Sequence, residues 1–155
     1  MDPGIQIETR TGEAALAVMA EVSALYERVF GEPAADVLDS AAEKPGLALW
    51  LARDVTGHAV GFKLGYRRSP REFYSWLGGV DPVARGSGVA RQLMRAQHAW
   101  AAKQGYPAVT TQTMNRYRNM LLLNIQEGFE VVGTHTDDAG LTRIMLKKRL
   151  GPAEV

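Results

Sequence analysis

The chain of 155 residues contains no cysteine. Disulfide frameworks, thiolate nucleophiles and cysteine-based zinc sites are therefore excluded together. Its three histidines, His58, His98 and His135, are scattered without ligand spacing, so no metal is expected. An excess of one charge is missing as well. The 18 Lys and Arg nearly balance 17 Asp and Glu, and the formal net charge of +1 provides no field to recruit nucleic acid. The one basic cluster, Arg67-Arg68-Ser69-Pro70-Arg71, reads as a solvated turn. No apolar run approaches the roughly 20 residues needed to span a bilayer, so no membrane partner is expected. Met1-Asp2-Pro3-Gly4 has neither the basic start nor the apolar core of a secretory signal, and a cytoplasmic location is expected.

What is present is ordinary for a folded globule: 46% apolar and 23% charged residues, with no repeat, linker or low-complexity stretch. A chain of this length is expected to form a single domain over residues 1–155. Ile5-Gln6-Ile7-Glu8-Thr9 alternates with a period of two, as a half-buried strand does. Residues 13–30 carry Leu16, Met19, Val22, Leu25, Tyr26, Val29 and Phe30 at helical steps, predicting one helix ended by Gly31 and Pro33. Residues 34–44 predict a second, stopped by Pro45-Gly46. Residues 47–52, 58–66 and 72–77 predict three antiparallel strands, joined by turns at 54–57 and at Ser69-Pro70. Residues 89–104 predict a long helix whose apolar face is Val89, Leu93, Ala96, Gln97 and Trp100. Residues 108–113, rich in β-branched types, follow as a strand. A helix at 119–127 ends at Gly128, and strands near 129–133 and 141–146 close the chain. The expected order is β-α-α-β-β-β-α-β-α-β-β in a mixed α/β sheet, with a crossover helix that makes the strands on either side of it parallel neighbours.

Chemistry concentrates where the third predicted strand of the meander ends. Gly78-Gly79-Val80-Asp81-Pro82 leads into Arg85-Gly86-Ser87-Gly88-Val89-Ala90 at the start of the long helix. Strand, Gly-rich turn and helix start make an anion site, because unpaired N–H groups converge there and no side chain blocks a phosphate. Arg85 adds a charged donor. A Walker-type loop would need Gly-Lys-Ser/Thr, and no Lys follows Gly88. A dinucleotide fold would need a further Gly-rich position, an acidic ribose partner and a mostly parallel sheet.

Arg85-Gly86-Ser87-Gly88-Val89-Ala90 resembles the Gln/Arg-x-x-Gly-x-Gly/Ala signature of the GNAT superfamily of acyl-CoA-dependent N-acyltransferases, and the element order resembles that fold along essentially the whole chain. The resemblance implies a GNAT-like fold with a splayed parallel strand pair. It also implies acetyl-CoA as acyl donor, with its pyrophosphate on Arg85, Gly86, Ser87, Gly88, Val89 and Ala90. The pantetheine arm would lie along Gly78, Gly79 and Val80, and a bulge at the two glycines is expected to free an N–H, that of Gly79 or a neighbour, to polarise the thioester carbonyl.

The family often places an Asn eleven residues, and an acidic Tyr four residues, before the closing glycine. Here those positions hold Tyr117 and Asn124. An amide does not ionise near neutral pH, so Asn124 is assigned hydrogen bonding to sulfur or substrate, and Asn115 or Asn119 the contact with the donor. The strand before the loop also lacks a carboxylate. Glu27 and Glu32 are candidate bases, with Tyr66, Tyr74 and His135 as further ones; His98 is expected to be structural. The resemblance thus implies direct transfer of an acetyl group to a primary amine of a small molecule or peptide. A non-catalytic acyl-CoA sensor and a scaffold using its sheet edge are the competing readings. The apolar final hairpin is compatible with a homodimer.

Overall fold

The structure is a computed structural model and describes residues 4–151. Met1, Asp2 and Pro3, on which the reading of the leader rests, lie outside the described residues.

Seven strands form one mixed sheet in the order β1-β2-β3-β4-β5-β7-β6. They are β1 (Gln6–Thr11), β2 (Ala48–Arg53), β3 (Ala59–Ser69), β4 (Glu72–Val80), β5 (Ala108–Thr113), β6 (Glu130–Thr136) and β7 (Thr142–Arg149). The helices are α1 (Glu13–Leu16), α2 (Met19–Phe30), α3 (Ala35–Leu38), α4 (Val89–Lys103) and α5 (Arg118–Gln126). Each face of the sheet buries its own core. On one, α1 to α3 cover Leu49, Leu51, Phe62 and Leu64; on the other, α4 covers Ala48, Trp50, Phe73 and Val109.

Three local expectations are corrected. The helix expected over residues 13–30 breaks at Val18, whose φ of −111° and ψ of 16° leave the helical region. Apolar spacing did not reveal the break, because Ala15 on one piece and Val22, Leu25 and Tyr26 on the other still reach the same core. The helix expected over 34–44 is only the single turn α3 and a 3-10 turn at Ala41–Glu43. The basic cluster is not all turn. Strand β3 runs through Arg67 and Arg68 to Ser69, where Arg67 faces Phe73 and Ser69 faces Glu72, so the turn itself is Pro70-Arg71. The guanidinium of Arg68 lies 5.0 Å from the centre of the Tyr74 ring, an attraction that a solvated turn would not offer.

The crossover is as expected: α4 leaves β4 and returns to β5, and these two strands are parallel. Their pairing is short, covering only Glu72 to Ser75 against Ala108 to Thr111. The register between β3 and β4 then slips by one residue, Leu64 facing Leu77 while Gly65 faces Ser75. Trp76 is the extra residue. A bulge bends its strand and increases the local twist. Beyond Trp76, β4 stays with β3 and leaves β5, and a gap opens in the middle of the sheet.

Candidate active site

The gap is the floor of a cleft of about 800 Å³ that reaches both faces of the sheet. On the α4 side its walls include Lys63, Gly78, Gly86, Gly88, Ala90, Asn119 and Asn124; on the α2 side they include Tyr26, Val29, Glu32, Trp76, Tyr117 and Arg143.

At the mouth on the α4 side, Gly86 and Gly88 have φ of +84° and +83°, and a Cβ on either would meet no protein atom within 4 Å. Their absent side chains leave room in front of the helix start. The first bond of α4 runs from Gln92 N to Gly88 O at 3.0 Å. Among the described residues, the N–H groups of residues 86 to 91 therefore find no protein acceptor. Six donors at the positive end of a 15-residue helix suit a pyrophosphate. The side chains beside them are tied back. Arg85 Nε donates to Val80 O at 3.1 Å, and Ser87 Oγ donates to Ala84 O at 2.6 Å. Arg85, Val89 and Ala90 line the cleft, and Ser87 does not.

The strand glycines behave differently from expectation. No bulge falls at Gly78-Gly79; it falls at Trp76, and the glycines pair regularly with Lys63 and Phe62. Asp81 N donates to Val60 O at 2.8 Å. Antiparallel pairs alternate between hydrogen-bonded and open ones. Two residues on, Phe62 and Gly79 are thus a bonded pair, which commits the Gly79 N–H to β3, while the backbone groups of Gly78 and Val80 turn toward the gap. Gly79 has another reason to be glycine, since a Cβ there would lie 2.7 Å from Val29 Cγ1 of α2.

The expected second-half residues separate. Asn124 is buried on the cleft wall, with its carbonyl accepting from Phe129 N at 3.0 Å, and Asn119 also lines the cleft. Asn115 is exposed and does not line the cleft. Glu27 does not line the cleft. Its Oε2 accepts from Ala34 N at 3.3 Å, which ties the loop after α2. Glu32 does line it and is its one acidic residue among those described, with Oε1 accepting from Tyr26 OH at 3.3 Å. Burial, and then the neighbouring Glu32 charge, raise Tyr26 above an ordinary tyrosine. Tyr66 and Tyr74 lie off the cleft in a ring cluster with Trp76, and His135 is exposed on β6 opposite Arg143.

His98 is buried under α4. Its Nδ1 lies 3.0 Å from Lys148 Nζ, which can only donate, so Nδ1 is the bare nitrogen of a neutral ring. Burial, aided by the charges of Lys148 and Lys63, lowers its pKa to about 3. Lys63 itself escaped the reading of the sequence. The available signal was a lone cation inside the apolar run Val60-Gly61-Phe62-Lys63-Leu64 of a central strand.

The profile of the acetyltransferase (GNAT) family matches residues 15–120, and the chain belongs to this family. It is accordingly an acyltransferase. No functionally curated protein matches it by sequence. Solved structures share the fold. The ribosomal-protein-S18-alanine N-acetyltransferase from Escherichia coli is 14% identical at a TM-score of 0.78, covering 97% of this chain and 96% of that one. A GNAT family acetyltransferase from Elizabethkingia anophelis, with acetyl-CoA bound, is 15% identical at 0.74 over 96% and 100%. The IAA acetyltransferase from Bacillus cereus is 16% identical at 0.74 over 94% and 99%. Among the described residues no helix is long and apolar enough to cross a membrane, and no group of three His, Asp or Glu could hold a metal ion.

Proposed function

We propose that the chain transfers an acetyl group from acetyl-CoA directly to a primary amine. The observation that carries this reading is the run of N–H groups at residues 86 to 91 without a protein acceptor among the described residues, beside a cleft that passes through the sheet and is lined by all of these residues except Ser87. The pyrophosphate of the donor would rest on those groups, with Arg85 beside it. Asn119 would contact the donor, and its pantetheine arm would continue the sheet along β4 beyond Trp76. The inward-facing N–H groups of Gly78 and Val80 would polarise the thioester carbonyl.

The acceptor would come from the α2 side, where Tyr26, Trp76 and Tyr117 offer apolar walls and Glu32 a carboxylate. Glu32, in place of Glu27, is the base in this reading: it takes a proton from the acceptor's ammonium, directly or through one water, and the neutral amine so formed attacks. No cysteine exists to carry the acetyl group, and in this reading transfer is direct. A panel of small-molecule amines, peptide N-termini and lysine side chains identifies the acceptor.

Calorimetry with CoA, followed by thiol release from acetyl-CoA across that panel, tests the proposal. Binding with turnover on at least one amine supports it. Tight binding without turnover on any of them would instead make the chain a sensor of acyl-CoA, and no binding would remove the cradle. Exposed Val131 and Val132 on the edge strand β6 keep a homodimer in view, and sedimentation velocity measures it.

A further inference from the structure

Among the described residues, Lys63 is the cation of the cleft wall that is not exposed and yet has no ion pair. Lys63 sits mid-strand in β3, opposite Gly78, and among the described residues it makes no hydrogen bond, ion pair or ring contact. A Cβ on Gly78 would lie 3.3 Å from Lys63 Cγ and 3.4 Å from Nζ. The ammonium is thus laid against the β4 backbone just past the point where β4 leaves β5. It faces the α4 side of the cleft. The titratable groups around it are neutral His98 from α4 and Lys148 from β7. Glu127, after α5, is held by Arg95 at 2.7 Å, and Glu32 lies on the opposite face of the sheet with Tyr26.

A half-buried ammonium without a partner is destabilising, and burial lowers Lys63 to about 8. The departing group of a thioester is a thiolate whose acid has a pKa near 8.5, and transfer is efficient when donor and acceptor are matched. Other side chains on this wall do not serve, because neither a guanidinium nor the Asn124 amide gives up a proton in water near neutral pH.

Resting on the reading that the thioester lies along residues 78 to 80, we propose that Lys63 is the acid that protonates the departing thiolate of the acyl donor. The acceptor nitrogen bonds to the thioester carbon and the C–S bond breaks with its electron pair on sulfur. A proton passes from Lys63 Nζ to that sulfur. The acceptor nitrogen, an ammonium at the outset, releases two protons to water through Glu32, one before it attacks and one as the amide forms; one of them restores neutral Lys63 to its ammonium and the other stays in solvent.

The probe is free CoA bound to the full chain, its thiol titrated through the ultraviolet absorbance of the thiolate. With Lys63 present, the bound thiol should titrate about 1–3 units lower than in Lys63→Met, as for any acid beside an opposite charge. Lys63→Arg should keep the lowered thiol pKa, since the charge remains. Both variants should lose about 100-fold or more in kcat for thiol release from acetyl-CoA, with KM for acetyl-CoA little changed. A thiol that titrates identically in wild type and Lys63→Met, or a Lys63→Met variant with wild-type kcat, overturns the proposal while leaving the CoA cradle intact. Failure of CoA to bind the wild-type chain removes the cradle, and the role of Lys63 with it. Circular dichroism establishes that Lys63→Met is folded.

Discussion

At Gly88 the backbone has φ of +83°, and the space a Cβ would enter is free of protein. A side chain there costs the fold only the left-handed conformation, about 1–2 kcal/mol, yet stands in front of the donors that would bind pyrophosphate. Gly88→Val is therefore expected to weaken CoA binding by at least about tenfold, roughly 1.4 kcal/mol, while the variant still melts cooperatively. Calorimetry and thermal unfolding check the two halves, and unchanged affinity would sink the cradle. The two glutamates at the end of α2 make a similar contrast. Glu32→Gln removes the only described carboxylate in the cleft and should lower kcat by about 10²–10⁴. Glu27→Gln weakens the bond accepted from Ala34 N and should appear in stability, at about 1 kcal/mol, with little change in rate. Equal losses of rate in both variants would contradict the assignment.

Helix α4 supports the site through its opposite end. His98, two turns and more beyond the cradle, is buried, neutral and accepts from Lys148 of β7, which ties helix to sheet. Its folded pKa of about 3 lies below the roughly 6.5 of an unfolded histidine. The unfolded chain thus binds the extra proton first. The contribution is complete above pH 6.5 and is lost as pH falls from there toward 3, by up to about 1.4 kcal/mol per unit. Urea unfolding between pH 7 and 5 should show this loss, and His98→Gln should flatten it. The carboxylates of Glu8, Glu21 and Glu127, held below their usual range with arginine partners, lose their contributions only at lower pH. A slope between pH 7 and 5 that His98→Gln leaves in place would contradict this account.

For the molecule as a whole, the sheet near the splay is held by one aromatic cluster. Phe73 contacts Trp50, Trp100 and Tyr106 with ring centres 5.8, 5.3 and 5.4 Å apart, joining β2, β4 and α4. Its ring lies so close to β3 that a Cβ on Gly65 would come within 2.4 Å of it. Phe73→Ala should cost about 3–5 kcal/mol, because it empties a fully buried ring site. Gly65→Ala should destabilise as well, since Tyr74 O also lies 2.7 Å from that Cβ and backbone does not move aside. Chemical denaturation measures both, and a neutral Gly65→Ala would show that the strands re-pack freely.

Residues 85–90 carried their meaning in the chain order alone. A turn that needs positive φ at two places, directly before an apolar-periodic helix, depends on local backbone geometry, which neighbouring residues dictate. The order of strands and the parallel crossover were legible for the same reason. The break at Val18 was not, since periodicity reports which face is apolar and is silent on whether the backbone between two matching turns stays helical. The active-site cleft depends on long-range registry. The bulge at Trp76 exists only because β3 and β4 pair with a slip between Leu64 and Gly65, and that slip decides that β4 parts from β5, that Gly79 bonds to β3, and that Gly78 and Val80 face the gap. Glu32 and Lys63 are 31 positions apart and belong to different faces of the sheet; only folding brings them to opposite walls of one opening.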